Sequence, residues 1–238
     1  MIPKTIHYCW FGRGQMPDLA LRCIESWHKH MPDYQYKVWN EENFNIDCND
    51  YVREAYAAKK YAFVSDYVRL YALYSEGGIY MDTDVEVIKT YDDLLSLDGF
   101  IGYEGTKHHP LGTGTIASVA GGEWVREQLH AYDQIHFLQP DGTYDLTTNP
   151  VRITSLMRMN GFVQNGKEQD YKDMHVFPVD YFCPRQTTGE YLLTDNTYCD
   201  HHFTGLWNES SKGKLDLTRL LGQQCMTRLI KFKRKIFG

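Results

Sequence analysis

Two carboxylates separated by one threonine, Asp82 and Asp84 in GGIYMDTDVEV, sit between two apolar runs. Charge placed so near an expected sheet centre is costly unless pairing, hydrogen bonds or a metal ion relieve it. In an extended stretch residues i and i+2 point to one side, so both carboxylates can address a single cation. Oxygen ligands of this kind suit Mg2+ or Mn2+, ions that also hold nucleotide phosphates. The alternative for the same spacing is a turn whose aspartates cap backbone amides.

Asp66 and Arg69, three apart in AFVSDYVRLYALYSE, fall on neighbouring positions of one helical face. On a solvated surface such a pair contributes only about 0.2–0.5 kcal/mol. This segment has few solvated positions, however, and runs directly into the aspartate-bearing strand. A planar guanidinium there offers two donors to a carboxylate or a phosphate. Far along the chain, His201 and His202 offer imidazole, a good manganese ligand, or serve the fold by hydrogen bonding.

These groups need a scaffold that carries them to one place. TIHYCWFG, residues 5–12, reads as a buried strand, and YQYKVW, residues 34–39, as a second. Between them Leu19, Cys23, Ile24 and Trp27 have helical spacing, bounded by Pro17 and Pro32. Strand, helix and strand in this order predict a βαβ unit, hence parallel pairing in an α/β sheet covered by helices. Residues 62–76 predict a helix whose apolar face is Phe63, Tyr67, Leu70, Tyr71 and Tyr74, stopped by Gly77 and Gly78. Short extended segments flank the aspartates. Further strands are expected at 99–104 and 114–118, helices at 122–135 and 150–160, and mixed short elements over 166–200. The expectation is one domain over residues 1–211 and a basic, amphipathic C-terminal tail over 212–238.

With 238 residues, 42% hydrophobic and 14% aromatic, the chain can bury a substantial core. Its formal charge of -6 is uneven: eight Lys/Arg and one Asp from Lys212 onward give that segment +7 and leave -13 to the rest. An acidic body repels nucleic acid, so no nucleic-acid partner is expected. Six scattered cysteines without CxxC spacing exclude a zinc framework and point to reduced thiols. The start of the chain has no leader pattern, and no run reaches the roughly 18 apolar residues of a spanning helix, so a cytoplasmic protein is expected. In the tail Leu217, Leu221, Cys225, Leu229, Phe232 and Ile236 recur near helical spacing among basic residues. Such a helix either lies on an anionic membrane or packs its stripe on the body.

IPKTIHYCWFG, FVSDYVRLYALYSEGGIYMDTDVEV and HHFTGLWN occur in that order. Together they resemble glycosyltransferase family 32, the DxD sugar transferases that include capsular and lipopolysaccharide enzymes and yeast mannosyltransferases. That family is similar to the clostridial glucosylating toxins. The resemblance runs from residue 2 to about residue 212 and is strongest over 62–88. It implies a GT-A-like fold with a mixed, mainly parallel sheet, and a nucleotide-sugar donor such as a UDP-sugar. It also implies a divalent metal, Mn2+ or Mg2+, and retention of configuration at the anomeric carbon. The implied reaction moves a hexose or N-acetylhexosamine to a glycan or polyprenyl-diphosphate-linked acceptor in cell-surface polysaccharide synthesis. The tail would then touch the inner face of the membrane.

By the same resemblance, Trp10 stacks on the nucleobase, where the alternative is a core tryptophan. Asp66 accepts from donor-sugar hydroxyls, and Arg69 pairs with Asp66 or with phosphate. Asp84 is the direct metal ligand, Asp82 its partner toward ribose, sugar or water. His202 completes the metal site, with His201 as the alternative. Trp207 packs on the donor or closes a loop over it, and Lys212 reaches the diphosphate or is simply solvated. Relatives commonly read Gly-Ser-Trp where this chain has Gly205-Leu206-Trp207, so the serine contact is absent or passes to Thr204 or Ser210. Asn149, grouped with Asp66 and Arg69 as catalytic, and Glu104 line the acceptor side or are ordinary loop residues.

No second carboxylate stands out as a covalent nucleophile of the kind retaining glycosidases use. A same-face displacement is therefore expected, the leaving phosphate taking the acceptor proton. Two other classes fit parts of the pattern. A nucleotidyltransferase making a nucleotide-sugar would show a glycine-rich basic loop after the first strand, and GRGQMP at 12–17 is a poor version of one. A non-catalytic calcium- or sugar-binding module has no need of Trp10, Asp66 and Arg69 together.

Overall fold

The computed structural model describes residues 1–186 and 189–204. β1 (Thr5–Cys9), α1 (Asp18–His30) and β2 (Gln35–Trp39) form the expected βαβ unit, paired in parallel with Thr5 opposite Gln35. α2 (Asp50–Ala57) follows, with the Asn49 side chain accepting from the amides of Tyr51 and Val52. Eight residues are too few to show a clear period, so this helix is absent from the sequence reading. α3 (Tyr61–Glu76) leads to β3 (Gly78–Met81), and β4 (Val85–Val87) follows the aspartates.

Next come β5 (Gly99–Tyr103), β6 (Leu111–Ser118), α4 (Glu123–His130) and α5 (Asn149–Met159). The helix expected over 122–135 divides, its last part forming a 3-10 turn over Ala131–Gln134. β7 (Gln169–Tyr171), β8 (Met174–Phe177), α6 (Val179–Phe182) and β9 (Cys199–His201) complete the described chain.

Seven strands make one sheet in the order β2-β1-β3-β6-β5-β8-β7, while β4 and β9 pair separately. β1, β2, β3, β5 and β8 run in one direction, β6 and β7 in the other. The sheet is mixed and mainly parallel, as expected. The C-terminal ends of β1, β3 and β5 consequently share one edge.

Strand alternation divides the core. Ile79 and Met81 join Ile6, Phe100 and Ala117 against Trp27 of α1, whereas Tyr80 joins the α3 side. Trp27 is fully buried, and its indole N–H donates to the Val85 carbonyl at 2.7 Å. Burying a large apolar side chain is worth roughly 1.5–3 kcal/mol, and here it also fixes the strand that leaves the aspartates.

α3 is not the one-sided helix the spacing predicts. Val64, Asp66, Val68, Arg69, Ala72 and Leu73 are buried as well, because the helix packs between the sheet and the helices α2 and α4. It ends at Gly77, φ +67°, where a Cβ would lie 2.7 Å from the Ala120 amide nitrogen. The fully buried His7 locks this corner: its Nε2 donates to the Gly77 carbonyl at 2.8 Å and its Nδ1 accepts from Trp39 at 3.1 Å. Asp66 and Arg69 on the helix are thus rigidly joined to the strand that carries Asp82. Among the described residues no helix is long and apolar enough to cross a membrane. Trp207, Lys212 and the expected basic tail lie outside the described residues.

Candidate active site

After Met81 the chain turns instead of continuing as a strand, the Val85 amide donating to the Asp82 carbonyl at 3.0 Å. The expected i, i+2 alternation does not apply; the turn itself brings the two carboxylates together. The Asp82 amide donates to the Gly114 carbonyl at 2.8 Å, which ties the turn to β6. Asp82 Oδ1 accepts from the Tyr80 hydroxyl at 2.9 Å, and its other oxygen takes no hydrogen bond among the described residues. The Tyr80 ring belongs to the core, and its hydroxyl orients Asp82.

β9 pairs antiparallel with β4, His201 opposite Val85, and so brings the histidine segment to this turn. His201 Nε2 lies 3.2 Å from Asp84 Oδ1. Asp82, Asp84 and His201 each offer a ligand atom, and these atoms lie within 4.8 Å of one another. His202, expected in this role, points away and meets the exposed Glu86 at 2.9 Å. Neighbouring residues of an extended segment face opposite ways, so only one of the pair can join the cluster. The structure puts His201 there.

Asp84 Oδ2 accepts from both the amide and the hydroxyl of Thr204, at 2.9 and 2.8 Å. Thr204 thus spends its hydroxyl on Asp84. Burial alone would raise the Asp84 pKa, but His201 and the Thr204 donors hold it well below the usual carboxylate range. Burial likewise disfavours charge on His201, and Asp84 overrides it, raising that pKa well above the usual value. An imidazole nitrogen and a carboxylate oxygen this close share either a hydrogen-bonded proton or a cation.

Asp66 and Arg69 are no surface pair: their side chains are 12% and 5% exposed, with Nη2 2.8 Å from Asp66 Oδ1. Arg69 also donates to the Thr113 carbonyl at 2.6 Å and the Ser65 carbonyl at 3.2 Å, and Nη1 lies 3.4 Å from Asp82. Its guanidinium stands over the Tyr80 ring, 4.6 Å from the centroid. Most of its donors are thereby committed to the protein, and it links the helix carboxylate to the turn. Burial pushes the Asp66 pKa up to about 6, with Arg69 opposing and Asp82 adding to the rise. Asn149, buried at the start of α5, donates to the Asp66 carbonyl at 3.2 Å, so it braces Asp66 from behind.

Trp10 directly follows β1 and is half-buried, its indole N–H donating to the Gly14 carbonyl at 2.6 Å. Glu104 directly follows β5, and its carboxylate has no hydrogen bond or ion pair among the described residues. Burial pushes its pKa to about 7, with His201 opposing and Asp82 adding. Gly112 and Gly114 line a small cavity beside His201 together with Cys183. A Cβ at Gly114 would stand 2.9 Å from His201 Nδ1. The sequence reading misses this cradle, although two glycines at i, i+2 in one strand are a signal of close approach.

An acidic-histidine cluster, a buried Asp–Arg pair and a half-buried tryptophan, gathered at the C-terminal edge of parallel strands, place the ligand site where α/β sheets usually have it. Residues 17–101 match the family described as the glycosyltransferase sugar-binding region containing the DXD motif. That region holds Asp66, Arg69, Asp82 and Asp84, while Trp10, Glu104, Asn149 and His201 lie outside it. Inositol phosphoceramide mannosyltransferase 3 of Schizosaccharomyces pombe is 32% identical over 104 residues, 42% of this chain and 29% of that protein. Subversion of eukaryotic traffic protein A of Legionella pneumophila is 27% identical over 128 residues, 42% of this chain and 20% of that protein. The chain thus spans under a third of the length of these two relatives. Among solved structures, the PaToxG glycosyltransferase has a TM-score of 0.49 at 19% identity, covering 67% of this chain and 70% of that one. The galactosyltransferase LgtC, solved with donor and acceptor sugar analogues, has a TM-score of 0.33 at 14% identity, covering 53% of this chain and 61% of that one.

Proposed function

We propose that the chain is a metal-dependent, retaining glycosyltransferase moving a hexose or N-acetylhexosamine from a UDP-sugar to a glycan or lipid-linked glycan. The observation that carries this reading is the convergence of Asp82, Asp84 and His201 beside the buried Asp66–Arg69 pair. Two carboxylate oxygens and an imidazole nitrogen fit Mn2+ or Mg2+. A divalent cation held there would neutralise the charge that grows on a departing diphosphate.

The chain's own groups have distinct tasks in this account. Trp10 stacks on the base, and Asp66, as a carboxylate, accepts from hydroxyls of the donor sugar. Arg69 holds Asp66 and Asp82 in register. Glu104, the unpaired carboxylate at the end of β5, accepts a hydrogen bond from the acceptor hydroxyl and so orients it before the attack. The proton of that hydroxyl passes to the leaving phosphate oxygen on the same face of the sugar. A glycosyl-enzyme adduct found by mass spectrometry would replace this step with a covalent one. Relatives named for mannosylation of inositol phosphoceramide support a lipid-linked acceptor. Peripheral contact with the inner face of a membrane, through the basic tail, suits the same acceptor.

The direct test incubates the purified protein with each UDP- and GDP-sugar and Mn2+, and measures released nucleoside diphosphate. Release from a UDP-sugar that stops on adding EDTA is the expected result. Release from none, with or without glycan acceptors, contradicts the transferase reading; release indifferent to EDTA contradicts the metal.

A further inference from the structure

Past β5 the loop over 104–110 opens a cleft of 510 Å³ lined by His108, His109, Arg158 and Gln164. Its place along the sheet edge matters. Trp10, Asp82 and Glu104 follow the ends of β1, β3 and β5, in that order across the sheet. Neighbouring strands lie about 4.8 Å apart, so two spacings, about 10 Å, separate β3 from β5, which lies on the side away from β1. The His109 ring of the cleft meets Tyr103, the last residue of β5, so the cleft adjoins the β5 end of the edge.

The loop is held in one shape by specific contacts. His108 and His109 have φ of 63° and 44°, a left-handed conformation that non-glycine residues seldom adopt. The Gln164 side-chain amide donates to the carbonyls of both histidines. Gly166 makes room for the His109 ring, since a Cβ there would lie 2.5 Å from its Nδ1. Tyr103 meets the same ring edge-on at 6.0 Å.

The charges around it are one-sided. Among the described residues Arg158 and Lys107, both exposed, have no ion pair, and no carboxylate lines the cleft. Acidic residues that follow in sequence are already engaged, Glu168 and Asp170 by His175. On a chain of net charge -6, an unpaired basic cleft with two imidazoles and a guanidinium is set up to receive an anion.

We propose that this cleft binds an anionic group of the acceptor, a phosphate or a carboxylate, while Glu104 holds the hydroxyl that is glycosylated. The word acceptor rests on the glycosyltransferase reading; the anion site does not.

Histidine-ring NMR of the whole chain, without metal or nucleotide, tests the site. Methyl phosphate and methyl glucuronide serve as anionic probes and methyl glucoside as the neutral one. The His108 and His109 signals should shift and saturate with the anions only, and the stronger of the two tells phosphate from carboxylate. Arg158→Gln should weaken that binding about tenfold, or about 1.4 kcal/mol, with Lys107→Gln as a second exposed variant that weakens it in the same direction. Absence of shifts with both anions, or equal affinity in both folded variants, overturns the site.

Transfer to a phosphorylated or uronate acceptor should then exceed transfer to its neutral counterpart by about tenfold in kcat/KM, and Arg158→Gln should erase the preference. Anion binding without such a preference overturns the acceptor assignment. If the preparation releases nucleotide from no donor, the transferase reading fails while the NMR result decides the anion site by itself.

Discussion

His201 Nε2 stands 3.2 Å from Asp84 Oδ1, although the histidine reaches that point only through the pairing of β9 with β4. One strand pair therefore assembles the candidate metal site from two distant segments. Its neighbour His202 shares the strand end yet faces Glu86. His201→Ala should cut Mn2+ affinity by more than the 10–100-fold that loss of an outer-shell partner typically costs, roughly stated. His202→Ala should change it by less than about fivefold, since an exposed pair is worth about 0–1 kcal/mol. Manganese titration followed by electron paramagnetic resonance checks both. The reverse ranking would assign the ligand to His202.

Gly114 has no side chain because the His201 ring occupies that space. Gly114→Ala should therefore displace the imidazole by a few tenths of an ångström and weaken Mn2+ binding while the protein still melts cooperatively. In a His201→Ala background the same change should have little further effect, because coupled neighbours are non-additive. Equal losses in both backgrounds would show that the cradle acts on something other than His201.

Asp66 supplies a pH signature. Its pKa is raised from 3.8 to about 6 in the folded protein, chiefly by burial. The folded state then holds the proton more tightly than the unfolded chain. The resulting contribution to stability is complete below the unfolded pKa and is lost as pH rises through about 6. Asp66→Asn removes that dependence, so its stability relative to the native protein should improve from about pH 4 to about pH 7. Chemical denaturation across this range measures it, and a constant difference would mean that Asp66 is not raised. In its proposed role Asp66 accepts hydroxyls only as a carboxylate, so kcat/KM should rise across about pH 6 in the native protein, and the residual transfer of Asp66→Asn should lack that rise.

Much of this scaffold was legible in the sequence, for identifiable reasons. β1, α1 and β2 follow from apolar runs divided by a helical period. Asp66, Arg69, Asp82 and Asp84 share a single continuous block whose geometry is local. His201 was harder. Choosing between adjacent histidines requires the register of β9 on β4, a long-range fact that no local spacing carries. The short α2 shows no usable period, and the all-round burial of α3 depends on the helices that cover it. The Tyr80 hydroxyl and the Gly114 cradle likewise exist only once β3 and β6 are side by side.

Trp10 is positioned at the end of β1 by its indole bond to Gly14, leaving it half-buried. As a base-stacking surface it should contribute about 1–3 kcal/mol to nucleotide binding. Trp10→Ala should weaken UDP by that amount, while Trp10→Phe recovers a good part of it. Native affinity in Trp10→Ala would confine the residue to a structural role.

Asp82, Asp84 and His201 are proposed to hold a divalent cation through which the protein binds the donor diphosphate. Calorimetric titration of UDP into the native protein and Asp84→Asn, each with Mn2+ and with EDTA, tests it most directly. Binding is expected in the native protein with Mn2+ alone, and none under either condition in a folded Asp84→Asn. UDP binding of equal strength in EDTA, or undiminished in the variant, would contradict it.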